Sequence, residues 1–315
     1  MPDVTETKTE AAVDAVAAPS AVDGKSKEKP RSLWGDAWFD LRHRPMFWIS
    51  SILLLLLLVV AAFPGLFTGA DPRDGDLTNH FLTKPELGHL FQADWFGYDG
   101  QGRSIYARVI YGTRASILVG VGVTAAVTLV GGLLGMLAGY FGGWLDSVIS
   151  RVTDIFFGIP FLLGAMVVLN AFTERKVYVV ILALAFLGWT SICRVMRASV
   201  ITAKQADYVT AARALGAGTT RILFRHVLPN ALAPTIVVAT IALGGYISAE
   251  ATLSFLGLGL ADPTISWGID IAEGSKAIRD NPHALLFPAG MLSLTVFAFI
   301  MLGDAVRDAL DPKLR

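Results

Sequence analysis

Ile52-Leu53-Leu54-Leu55-Leu56-Leu57-Leu58-Val59-Val60-Ala61-Ala62 lies within a longer stretch, Met46–Leu66, that carries no charged side chain. A helix rises about 1.5 Å per residue, so roughly 20 such residues cross a hydrocarbon layer of about 30 Å. Five further segments of comparable length follow. Ser116–Gly139 is uncharged and rich in glycine. Val148–Phe172 has Arg151 and Asp154 only in its first turns, where the spacing of three suggests a local ion pair. Val177–Met196 has Arg194 in its last turn, Ala231–Leu256 holds one acid, Glu250, and Ala284–Gly303 is uncharged. Within lipid every backbone polar group must be bonded internally, which helices achieve. The expected fold is an all-α polytopic membrane protein with six transmembrane helices.

Composition agrees. Of 315 residues, 54% are hydrophobic and 17% charged, against about 25% charged in a soluble domain. Lys+Arg 26 against Asp+Glu 26 gives a net charge of +0, so no global basic field points to nucleic acid. Cys193 is the only cysteine, and His43, His80, His89, His226 and His283 are scattered. No metal site is expected, and no constellation for catalysis stands out. Gly24-Lys25-Ser26 ends like a phosphate loop, but the glycine required five positions before Gly24 is Pro19. No nucleotide or other cofactor is expected in this chain.

Residues 1–32 read as a polar, disordered tail, followed over 33–66 by an amphipathic helix near Trp34–Leu41 and the first span. Residues 67–112 read as an extracytoplasmic segment, 113–303 as a core with a loop at 200–230, and 304–315 as a tail. Six spans put sixteen basic residues in the two tails, the 140–151 turn and the 197–230 loop, against nine in the opposite loops. That bias places both termini in the cytoplasm. Gly131, Gly135 and Gly139 line one helix face and suit close packing of a neighbour inside the bundle.

The loop between the fourth and fifth spans is the informative part. From Ala203 to Leu215 it is rich in helix formers, with Tyr208, Val209, Ala212 and Leu215 near one face. Gly216 is placed to end that helix in the left-handed region. Thr219 can cap a second short helix through Val227, which Pro229 is expected to stop. Two readings fit equally at this point: a smooth surface for a partner's groove, or an amphipathic hairpin on lipid headgroups, with Arg213, Arg221 and Arg225 suiting either.

Ala211-Ala212, Gly216 and Leu228-Pro229 stand at the intervals of the EAA loop of binding-protein-dependent ABC importer permeases, which this segment resembles. Thr210 replaces the usual Glu and His226 the usual Ile. Trp95-Phe96-Gly97-Tyr98-Asp99-Gly100-Gln101-Gly102-Arg103-Ser104, Ser254-Phe255-Leu256-Gly257-Leu258-Gly259 and the tail with Asp308-Ala309-Leu310-Asp311-Pro312 resemble the dipeptide/oligopeptide/nickel branch, most closely its second, C-type permease subunit. The resemblance implies the type I importer permease fold. It further implies a homologous second permease, two cytoplasmic ATPase subunits or domains holding ATP and Mg, an extracytoplasmic substrate-binding protein, and a bacterial cytoplasmic-membrane location. The cargo implied is a di- or oligopeptide, with nickel or another small ligand as the alternative within the branch. The coupling surface implied comprises Asp207, Tyr208, Thr210, Ala211, Ala212, Arg213, Gly216, Arg221, Leu228 and Pro229.

Four other positions carry expectations. Glu250 inside a span is either a pathway group or a hydrogen-bonded structural acid facing protein. Asp99 and Arg103 precede the second span, where a cap or an extracytoplasmic contact with a partner fits. His226 reads as an interfacial packing group. A stand-alone secondary transporter would need paired ionisable residues at mid-membrane, and Glu250 has no evident basic partner there.

Overall fold

The computed structural model describes residues 33–310, so the tail expected over 1–32 and the residues 311–315 lie outside the described residues. Eleven α-helices and no strand occur among the described residues: α1 Leu33–Leu41, α2 Pro45–Ala62, α3 Ile105–Phe141, α4 Gly143–Phe157, α5 Phe161–Asn170, α6 Val177–Lys204, α7 Asp207–Ala214, α8 Thr219–Ile222, α9 Leu228–Phe255, α10 Trp267–Lys276 and α11 His283–Leu310. Five runs are long and apolar enough to cross a membrane: α2, α3, α6, α8 continuing into α9, and α11.

The expected spans are met with corrections. α3 starts eleven residues before Ser116, capped by Ser104, whose Oγ accepts from the Ala107 amide at 3.2 Å. The irregular segment therefore closes at residue 104 rather than 112. Arg108 falls in the first turns of this helix, and its charge is met inside the protein by Asp270. The third expected span, Val148–Phe172, is not one helix: α4 and α5 meet at 86° across Gly158-Ile159-Pro160. Proline lacks the amide that would continue the ladder and disfavours helix at the residue before it. Residues 304–310, expected as tail, are the last turns of α11, and Asp308 there pairs with Arg44 at 2.6 Å.

α3 and α6 are the centre of the bundle. A Cβ on Gly131 would collide with the Trp189 carbonyl oxygen and one on Gly135 with that of Cys193; on Gly139 it would lie 2.8 Å from that of Arg197. The contacts climb together along both chains, so the helices run parallel, and the small residues let the backbones touch, which drives association without help from water. Two consecutive parallel helices require the chain to return between them. α4 and α5 make that return in spite of the bend. α9 runs antiparallel to α6, with Tyr246 beside Gly188 and Thr235 beside Met196, and antiparallel to α11, where Gly303 meets Ile241 and Gly244 meets Val296. Val119, Val123, Val127, Leu184, Ile192, Ile247 and Leu253 fill the core between them.

Candidate functional site

At the end of the bundle where α3 and α6 stop, residues 205–227 fold back as a small helical platform. α6 ends at Lys204 and α7 begins at Asp207, so the helix expected from Ala203 is broken at Gln205-Ala206. α7 ends as expected at Gly216, whose φ is +81°. The Gly216 amide donates to the Arg213 carbonyl and the Ala217 amide to that of Ala212, both at 3.0 Å. This 6→1 and 5→2 pairing closes the helix and needs a left-handed residue at its turn, a conformation that costs other residues about 1–2 kcal/mol.

The second helix departs from expectation. α8 has Gly218, not Thr219, at its N-cap, and it does not stop at Pro229: a π turn over Leu223–Val227 leads straight into α9. The wider turn accommodates the missing proline amide, and the Asn230 side-chain amide donates to the His226 carbonyl at 2.7 Å. Leu228 and Pro229 are consequently half-buried in the first turn of α9 rather than at a free loop end.

Val209, Ile222, Leu223 and Val227 are buried against Met136, Met196, Val200, Ala203 and Ala231. The platform's apolar underside is thus satisfied by the chain's own bundle. Tyr208 and Leu215, expected to share a face with Val209, instead point away from it. Asp207, Tyr208, Thr210, Ala211, Arg213, Gly216 and Arg221 are exposed and Ala212 is half-exposed. Among them stand two large apolar side chains, Leu215 at 88% and Phe224 at 56% exposure. Neither belongs to the coupling surface that the resemblance implies; a leucine next to a helix-ending glycine was the available signal of an exposed apolar side chain. His226 is half-buried, 6.5 Å from the Tyr208 ring.

Contacts tie this platform to the bundle ends. Lys204 Nζ donates to the Gly139 and Tyr140 carbonyls at 2.9 and 3.0 Å, and the Tyr140 hydroxyl to the Thr219 carbonyl at 3.3 Å. A displacement of the platform therefore reaches α3 and α6 directly.

At the far end, Asp99 and Arg103 are buried rather than presented outward. Arg103 Nε donates to Asp99 Oδ2 at 2.8 Å, and its Nη2 also pairs with Glu273 of α10. Arg108 donates from Nε to Asp270 Oδ1 at 2.7 Å. These pairs, with Trp267 Nε1 donating to the Val109 carbonyl at 2.9 Å, clamp α10 and the 67–104 segment onto the start of α3. Glu250 is fully buried; the Ser254 hydroxyl donates to its Oε1 at 2.8 Å, and Ser116 and Ser266 surround it. Among the described residues it has no ion-pair partner. The carboxyl is enclosed by protein, with the Ser254 hydroxyl on Oε1 and no hydrogen-bond partner on Oε2 among the described residues.

Burial raises the Asp270 pKa to about 6, against the pull of Arg108. An acid with a folded pKa above its unfolded value of about 3.9 adds stability that is fully present below about pH 4 and lost as pH rises through 6. Thermal unfolding of the detergent-solubilised chain should therefore show the wild type gaining on an Asp270→Asn variant as pH falls from 7.5 to 4.5. An unchanging gap would contradict this.

Residues 131–315 match the family described as binding-protein-dependent transport system inner membrane component, and residues 32–85 match the N-terminal transmembrane domain of oligopeptide transport permease C. The chain belongs to this permease family. It is 36% identical over 291 residues to the oligopeptide transport system permease protein OppC of Bacillus subtilis (strain 168), spanning 92% of this chain and 93% of that protein. To the dipeptide transport system permease protein DppC of the same organism it is 37% identical over 281 residues, 89% of this chain and 86% of the relative. To the glutathione transport system permease protein GsiD of Escherichia coli O6:K15:H31 (strain 536 / UPEC) it is 36% identical over 288 residues, 91% and 93%. As a member of this permease family the chain is a transmembrane transport protein, and the platform of α7 and α8 is the segment in which the EAA-like intervals fall.

Proposed function

We propose that this chain is the C-type permease subunit of an ATP-driven importer of di- and oligopeptides in a bacterial cytoplasmic membrane. It forms half of the translocation pathway beside a homologous permease and does no catalysis of its own. ATP and Mg bind in two cytoplasmic ATPase subunits, and an extracytoplasmic binding protein delivers the cargo. Both termini and the α7–α8 platform face the cytoplasm, with the bent α4–α5 pair as the sixth crossing. The names of the relatives, two of them peptide permeases, support the cargo.

The observation that carries the coupling role is the two-sided platform. Its underside is anchored in the bundle, while Tyr208 on α7, Leu215 at the glycine-capped turn and Phe224 on the π turn stand uncovered. A headgroup-lying hairpin would turn its apolar face to lipid; here that face is already occupied by Met136, Met196 and Val200. Closure of two ATPases would push two such platforms together, and a bundle with two discrete packings converts that push into alternating access.

Gly216 supplies the test. A Cβ there meets nothing within 4 Å of this chain, so a tryptophan has room in the free subunit and pays only backbone strain. The expected result for Gly216→Trp is normal membrane insertion with uptake of a labelled tripeptide reduced at least tenfold. Wild-type uptake in that variant would remove the coupling role from this turn.

A further inference from the structure

α4 is joined to the rest of the protein differently from the other long helices. Of its fifteen residues only Ile149 and Thr153 are buried. Its start is the pair Gly142-Gly143, at φ +67° and +60°, where an added Cβ would meet nothing within 4 Å. These positive values are open to glycine and rarely to other residues. Its end is the 86° break at Gly158-Ile159-Pro160. A helix set between a glycine pair and a sharp break, with only two residues buried within this chain, has the few internal contacts expected of a unit that moves.

α4 rests on α6 through Phe156, which packs against Phe186 and Trp189, and through polar contacts towards each of its ends. Arg197 binds Asp146 through Nε and through Nη2, the latter at 2.7 Å. Arg194, rather than the expected Arg151, pairs with Asp154, at 2.7 Å, with both side chains about half exposed. The Arg194 guanidinium also lies 3.7 Å over the ring of Phe157, the last residue of α4. A half-exposed ion pair such as Arg194–Asp154 contributes about 0–1 kcal/mol and a solvated cation–π contact about 0.5–1, so the contacts at the Phe157 end of α4 fix a position without making it costly to leave. Beside the elbow lies a cavity of about 360 Å³ lined by Phe156, Phe157, Pro160, Phe161, Gly188 and Tyr246. Close-packed interiors resist displacement; this space gives the elbow's rings somewhere to go. Arg194 and Arg197 both belong to α6, whose end at Lys204 is two residues from the platform.

We infer that α4 is a gate segment that swings between its two joints during transport, and that Arg194 is the positioning residue that latches it to α6 in the closed arrangement. This rests on the proposed importer function, because the swing is driven from the platform through α6. The test uses the complete transporter in proteoliposomes, with Cys193→Ser to remove the native thiol and D154C and R194C introduced. A reducible bis-methanethiosulfonate linker then joins the two positions.

Linking should lower ATP-driven tripeptide uptake at least tenfold, and reduction should restore it. In the cysteine-free-linker control, Arg194→Gln should raise ATP hydrolysis in the absence of substrate several-fold while Arg194→Lys keeps it near wild type, a pattern that a purely structural arginine would not produce. Uptake that proceeds equally well with the linker in place overturns the hinge and leaves the importer reading intact, whereas a wild-type complex that moves no peptide under ATP overturns the reading itself. Should the two cysteines silence uptake before linking, the charge exchange decides: Asp154→Arg with Arg194→Asp should recover at least half of the transport lost in Arg194→Asp alone, and no recovery counts against the latch.

Discussion

Glutamates in place of Leu215 and Phe224 should abolish ATP-driven uptake while the subunit still inserts and folds. Both side chains are largely exposed in the isolated chain, so their replacement should change its own stability by no more than about 0.5 kcal/mol each. In a docked complex the same positions would be desolvated, and an unpaired carboxylate there costs several kcal/mol. A loss of about 3 kcal/mol is more than a hundredfold in affinity. Co-purification of the ATPase subunits with the double variant, at unchanged membrane abundance, is the measurement. Retention of wild-type stoichiometry would show that these side chains are not at the contact.

The second large effect is expected in the bundle. Gly135→Leu places a side chain where the Cys193 carbonyl already stands, with Met196 and the Arg197 amide close behind. Ordinary overpacking costs about 1–3 kcal/mol because side chains shift; here the obstacle is backbone, and relief requires α3 and α6 to separate along their whole parallel contact. The expected outcome is loss of folded, detergent-extractable protein, read by size-exclusion of a fluorescent fusion. Gly132→Leu is the matched control, since a Cβ at Gly132 comes no nearer than 3.7 Å, to the mobile end of Met196. Equal recovery of the two variants would contradict the packing described.

These two regions differ in how far they could be read from residues alone. The small-residue spacing at Gly131, Gly135 and Gly139 marks a helix contact through local pattern, and the contact is with α6 in the same chain. Gly216 is legible for the same reason, because a helix-ending glycine is a local signal. Non-local facts were not legible. The partner that lets Arg108 sit buried in the first turns of α3, Asp270, is 162 residues away. Asp154 finds Arg194 forty residues on instead of its neighbour Arg151. The bend between α4 and α5 turns on Pro160, which an apolar count over a 25-residue window does not register. Asp99 and Arg103 looked available for an outside contact because their third partner, Glu273, lies on another element.

The uncovered side of α7 and α8 meeting an ATP-hydrolysing subunit is the claim on which the function rests, and it can be reached chemically. Cys193 is buried, so an Ala212→Cys variant presents one accessible thiol on the platform. Photo-cross-linking from that thiol in membranes of the transporting complex should give a single major adduct, with a nucleotide-hydrolysing subunit, diminished by Leu215→Glu. Adducts confined to lipid, in a complex that still imports peptide, would contradict the account.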